Sequence, residues 1–168
     1  MKGVAGAWSR VEVTVDVLAG EDRFPGVVLE GTSQEDPLVD PTSLLAGAGF
    51  TSEDVGEVIL SDSLLKRFGG SCSAGRIPPD RLILEVSRRV GGEVQKSTLR
   101  AEIVGVIDDA SLSQDHATRI FVPLRIAKDF DHWLTNRRTA LPWDREAERS
   151  RRSYAGVSAY VRESRVAL

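Results

Sequence analysis

Val11, Val13, Val15 and Val17 alternate with Glu12, Thr14 and Asp16. A period of two puts the valines on one side of an extended chain, which predicts a half-buried strand over residues 10–18. Gly20 to Pro25 carries turn chemistry, and Gly26 to Glu30 is a short apolar run. Residues 31–49 hold Pro37, Pro41 and several Gly, Ser and Asp residues, and read as a long connection with one helical turn near Thr42 to Ala46. Glu57 to Leu60 is again strand-like. Ser61 is placed to cap a helix with Asp62 in its first turn and Leu64, Leu65 and Phe68 on its apolar side, stopped by Gly69-Gly70.

Two β-rich runs follow, Leu82 to Val90 and Glu93 to Asp108, joined by Gly91-Gly92. Two glycines accept the positive φ of a primed turn, so a hairpin is predicted. Leu99, Ala101 and Ile103 alternate with Arg100 and Glu102, whereas Ile103 to Ile107 is apolar on both faces apart from Gly105 and should lie deeper. Asp108 to Thr118 reads as a polar loop and Arg119 to Val122 as a short strand. Pro123 then opens a helix whose Ile126, Ala127, Phe130, Trp133 and Leu134 recur at helical spacing and predict a core-facing stripe. After an Arg-rich stretch, Tyr154 to Glu163 alternates as one more strand. The elements give an α+β, β-rich fold.

Composition changes this picture little. The 168 residues suit a single domain, and 41% apolar with 28% charged is ordinary for a globular chain. One cysteine, Cys72, excludes an internal disulfide or a multi-thiolate metal site. No window approaches the roughly 18 apolar residues of a spanning helix, and the apolar stretch after Lys2 is short for a signal peptide. The chain then reads as cytoplasmic, or as a domain cut from something larger. Charge is uneven: residues 1–60 carry a net −8 and residues 61–168 a net +5. Arg137 to Arg152 holds six arginines, interleaved with Asp144, Glu146 and Glu148 and with Trp143 as its one aromatic, which does not make the basic stripe of a nucleic-acid reader.

Catalytic motifs are absent. Nucleophilic catalysis needs a positioned base, and only His116, after Asp115 in the polar loop, and His132, between Asp131 and Trp133, are available; neither accompanies a Gly-x-Ser-x-Gly elbow. Asp108, Asp109 and Asp115 share a loop, but starting a calcium loop at Asp109 puts Gln114 at the Gly position and Ile120 at the bidentate Glu position. Turn formation and hydration account for the same aspartates. Gly91 to Ser97 has Lys96 where a phosphate loop needs its second Gly, and Gly47-Ala48-Gly49 lacks the third Gly of a dinucleotide fingerprint. No catalytic residue, metal ligand or cofactor is expected.

One ordered set of short motifs carries more. It consists of AGAGFTSED (Ala46 to Asp54), EVILSDSLLKRFGG (Glu57 to Gly70), IVGVID (Ile103 to Asp108) and IFVPL (Ile120 to Leu124). In this order they resemble the extracytoplasmic core domain of MacB-like and FtsX-like ABC transporter permeases, over roughly residues 27–163. Ser73 to Ile77 stands where that family often has a Gly-Lys-Thr-like turn, and the chain stops soon after Tyr154 to Glu163, where members usually continue toward the membrane.

The resemblance implies a single extracytoplasmic domain, 1–168, with two sub-regions: 1–56 with 154–168 as a membrane-proximal β layer, and 57–153 as a distal unit. It implies a non-catalytic part that couples ATPase-driven motion to substrate or partner handling outside the membrane. The partners would be transmembrane helices of the same permease, a separate ABC ATPase subunit, and an adaptor or substrate protein or peptide, with no nucleic acid. Two alternatives stay open: a small soluble hydrolase using the Asp108 to His116 loop, and a cytoplasmic ligand-binding or regulatory module. Loops projecting from a sheet commonly bind, so the partner-contact candidates are Asp109, Asp115, His116, Arg137, Arg138 and Trp143.

Overall fold

The computed structural model describes residues 10–53, 55–71, 81–137 and 139–143. Strand β1 (Val11–Ala19) turns at Gly20-Glu21 into strand β2 (Asp22–Thr32), and the two pair antiparallel. This corrects the sequence reading, in which Gly20 to Pro25 was turn. Pro25 lacks an N–H for the ladder, so the pairing slips: Val15 meets Val27 but Val17 meets Phe24, leaving Pro25-Gly26 opposite Asp16. Gly26 takes a φ of 70° in this bulge, and its N–H donates to Asp16 Oδ1 at 3.3 Å.

The expected helical turn near Thr42 to Ala46 is a single 3-10 turn, Pro41–Ser43, capped by Asp40, and the chain then extends as strand β3 (Leu44–Gly47). Pro41 presets the turn, while Leu44 and Ala46 gain more by pairing with Ile107 and Val106 than by continuing it. Strand β4 (Glu57–Ser61) leads into helix α1 (Asp62–Arg67), where Ser61 Oγ accepts from Leu64 N at 3.1 Å; Gly69, at φ 86°, stops it. Strands β5 (Arg81–Val90) and β6 (Glu93–Ile107) form the expected hairpin, with both turn glycines at positive φ. The polar loop after them is partly ordered, as a 3-10 turn (Asp109–Ser111) and the one-turn helix α2 (Gln114–Ala117). Strand β7 (Ile120–Pro123) and helix α3 (Leu124–Leu134) follow.

The strands form one mixed seven-stranded sheet in the order β3-β6-β4-β7-β2-β1-β5, and β5 also pairs with β6. Hydrogen-bonding neighbours therefore close a ring of six strands, with β3 lying outside it on β6. Two of its seams are thin: β4 meets β7 at one residue pair, Ile59 with Phe121, and β1 meets β5 over Asp16 to Leu18. Within the described residues, β1 and β2 share this sheet with the segments expected of a distal unit. The strand foreseen at Tyr154 to Glu163 lies outside the described residues.

Alternation then sorts the core into two clusters. The larger gathers Val13, Val15 and Val17 of β1 with Leu82, Leu84, Leu99, Ile103, Val58, Leu60, Ile120 and Val122, covered by Leu64 and Leu65 of α1, by Phe68 at its C-cap and by Ile126, Phe130 and Trp133 of α3. The smaller, on the opposite face, joins Ile59, Ile107 and Phe121 to Val39. All five residues of β4 and all four of β7 are consequently buried, so these are the central strands.

Candidate functional site

On the face of the smaller cluster, a buried charge sits at the end of β2. Register places Glu30 beside Glu12 on β1 and beside Phe121 on β7. Two carboxylates side by side repel. Arg119, just before β7, resolves this: its Nη1 donates to Glu12 Oε1 at 2.6 Å and to Glu30 Oε1 at 3.4 Å. Arg10, just before β1, adds a second guanidinium, with Nη1 3.7 Å from Glu30 Oε1 and Nη2 donating to Asp36 Oδ2 at 3.1 Å. Glu30 and Asp36 are each only 1% exposed, so both carboxylates rely on these partners in place of water.

His116 closes the group. Its ring lies against Phe121, 6.1 Å between centroids, with Nε2 3.3 Å from Arg10 Nη1 and 3.9 Å from Glu30 Oε2, and with Nδ1 3.1 Å from Ser113 Oγ. A guanidinium has no acceptor, so Nε2 must accept from Arg10 and the neutral ring carries its proton on Nδ1, donating to Ser113. That polarity is opposite to the one a serine nucleophile needs, because the base must hold a free lone pair toward the hydroxyl. Ser113 Oγ also accepts from His116 N at 3.3 Å, as the N-cap of α2.

Helix α2 is held in place from α1's side as well: Ser61 Oγ donates to Ala117 O at 2.7 Å, and Ser63 N donates to Asp109 Oδ1 at 3.2 Å. The serine of the ordered motifs thus caps one helix and anchors the next. Buried Glu57 has a local task, with Oε1 accepting from Thr51 N at 2.8 Å and Thr51 Oγ1 at 2.9 Å to pin the turn before β4.

The partner-contact candidates separate. Asp109 and Asp115 are exposed on the α2 side, His116 belongs to the charge cluster, and Arg137 is exposed where its N–H closes the C-terminal end of α3 onto His132 O at 2.8 Å. Arg138 lies outside the described residues. Trp143 packs edge-on against Phe130, 4.8 Å between ring centroids, and so covers the larger core with part of its ring. Arg88 organises that end of the molecule: Nη1 donates to Trp133 O at 2.7 Å, Nη2 to Thr139 O at 3.2 Å, and the guanidinium lies 4.2 Å from the Trp133 ring centroid. A cation on the last carbonyls of α3 complements its dipole.

The sequence reading missed Arg10, Glu30, Asp36, Arg88 and Arg119. Glu30 ends an apolar run, which is a signal that an acid is being carried inward, but its partners are 20 to 89 positions away in sequence and depend on register. Among the described residues, no three His, Cys, Asp or Glu side chains are placed to hold a metal ion, and no helix is long and apolar enough to cross a membrane.

No protein-family model matches the chain, and no curated protein matches it. Among solved structures, the periplasmic region of MacB from Actinobacillus actinomycetemcomitans is similar, with a TM-score of 0.46 and 14% identity over 70% of this chain. The match covers 47% of that structure, so this chain spans about half its length.

Proposed function

We propose that this chain is a non-catalytic extracytoplasmic domain of an ABC transporter permease, coupling motion driven by a separate ATPase to a substrate or partner outside the membrane. The observation that carries the reading is the order of the motifs together with the distinct work each does in the fold. Ser61 caps α1 and anchors α2. Gly105 lets three segments meet, since a Cβ there would lie 3.0 Å from Ala48 O and 3.1 Å from both Ile59 and Leu44. Val122-Pro123-Leu124 turns β7 into α3 directly beside Gly31, where a Cβ would meet Ala127 Cβ at 2.5 Å. A domain that transmits motion needs such close junctions between elements, because packed interfaces pass displacement without absorbing it.

The reading is tested on the full-length protein in its own cells. Protease added to intact cells with a permeable outer layer should cut within this domain, and an ABC ATPase should co-purify with the protein from detergent extracts. Recovery as a soluble cytoplasmic protein without an ATPase would overturn it. So would ester, peptide or phosphate hydrolysis by the purified chain that His116→Ala abolishes while the fold is retained.

A further inference from the structure

We propose that His116 is a proton-operated switch that exchanges one hydrogen-bond partner, Arg10, for another, Glu30. The inference does not rest on the permease reading. Glu30 Oε2 is buried and has no hydrogen-bond partner among the described residues, although its carboxylate side chain is only 2% exposed. A buried acceptor left open is costly, and native structures seldom keep one without a use. His116 Nε2 lies 3.9 Å away, and in the neutral ring that atom is an acceptor turned to Arg10 at 3.3 Å.

Adding one proton from solvent at Nε2 reverses this. The new N–H faces the Arg10 guanidinium donor to donor, which is repulsive, while Oε2 of Glu30 offers an empty lone pair beside it. A ring movement of about 1 Å brings Nε2 within hydrogen-bond reach of Oε2. Arg10 loses its bond to His116 and keeps the one to Asp36. Nδ1–H continues to donate to Ser113, so the change is confined to one end of the ring.

Glu12, Glu30 and Asp36 face Arg10 and Arg119, a formal charge of −1, and a protonated His116 brings the group to neutrality. Among the described residues, the facing charges are Arg10 just before β1, Glu12 on β1, Glu30 on β2, Asp36 in the connection after it and Arg119 before β7. Phe121 supplies an apolar wall, and Asp115 on the histidine's own helix is exposed. Protonation therefore moves the Nε2 end of the His116 ring from Arg10, just before β1, toward Glu30 on β2.

The test is NMR of the histidine ring nitrogens on the full chain across pH, with His132 as internal reference. In the parent the neutral His116 ring should be the Nδ1–H tautomer. In acid the parent's His116 Nε2–H should be a downfield, exchange-protected imidazole proton bonded to Glu30, which Glu30→Gln moves upfield and Arg10→Met retains, with His132 unmoved in both. A neutral ring protonated on Nε2, or an acid-form Nε2–H signal that is absent in the parent or unchanged in a folded Glu30→Gln variant, would overturn the proposal. Should Glu30→Gln fail to fold, the parent's neutral tautomer and its acid-form Nε2–H signal decide it.

Discussion

Gly31 lies where β2 passes under α3, and a Cβ there would stand 2.5 Å from Ala127 Cβ and 3.1 Å from the Leu124 backbone. Helix and strand must separate to admit even one methyl, so Gly31→Ala should destabilise by about 1–3 kcal/mol in urea unfolding. Ala127→Gly in the same chain should recover part of the loss despite its own helix penalty of about 1 kcal/mol, and strict additivity of the two changes would refute direct contact. Phe130 is fully buried beneath Trp143. Phe130→Ala should cost about 3–5 kcal/mol, and a loss under about 1 kcal/mol would contradict its place in the core. At Asp40, hydrogen bonds from Thr42, backbone first and then hydroxyl, hold the carboxyl below its usual range. A depressed carboxylate contributes stability that is present above its unfolded value, 3.8, and is lost as pH falls through its lower folded value. The difference in urea midpoint between parent and Asp40→Ala should therefore shrink as pH drops below 3.8; a difference that grows there would refute the assignment.

At the scale of elements, the β5–β6 turn makes a sharp case. Gly91 and Gly92 sit at φ 59° and 83°. A primed turn accepts Asn first and Gly second, so Gly91→Asn should leave stability unchanged, whereas Gly92→Val should cost about 1–2 kcal/mol. Equal effects in thermal unfolding would mean a different turn. This hairpin was legible in the sequence because its signal is local: two glycines between alternating runs. So were Ser61 with the helix it caps, and the α3 stripe, for the same reason. Strand β2 was legible only in its second half, because Pro25 reads as a stop unless a bulge takes it up, and the bulge depends on Asp16 from the neighbouring strand. Strand β3 is four residues that pair, among the described residues, with β6, 58 or more positions later, so nothing local distinguishes it from a turn. The charge cluster was illegible in the same way. His116 stood out as one of two histidines, but Arg10, Glu30 and Asp36 look like ordinary surface charges until register brings them together.

For the molecule as a whole, closure of the sheet through β5 makes its seams unequal. The β4–β7 seam has a single paired position, yet Ile59 and Phe121 are fully buried and each strand is covered on both faces. The β1–β5 seam has three paired positions, Asp16 to Leu18 with Ile83 to Glu85, and it is flanked by exposed Arg23 ion pairs with Asp16 and Glu85. Exposed ion pairs are screened and add little, whereas burying large apolar side chains on two faces contributes kilocalories per residue. Packing rather than hydrogen-bond count should decide which seam yields first. Native-state hydrogen exchange should therefore show the β4 and β7 amides opening only with global unfolding, the β1–β5 seam opening at lower free energy, and the exposed tip from Arg89 to Val94 exchanging fastest by local fraying. Because those ion pairs add little, raising salt should change protection at the β1–β5 seam only slightly and leave β4 and β7 unchanged. If the β4 amides instead exchange ahead of Asp16 to Leu18, the single-pair seam is the weak one, and hydrogen bonding, not two-sided burial, holds this sheet closed.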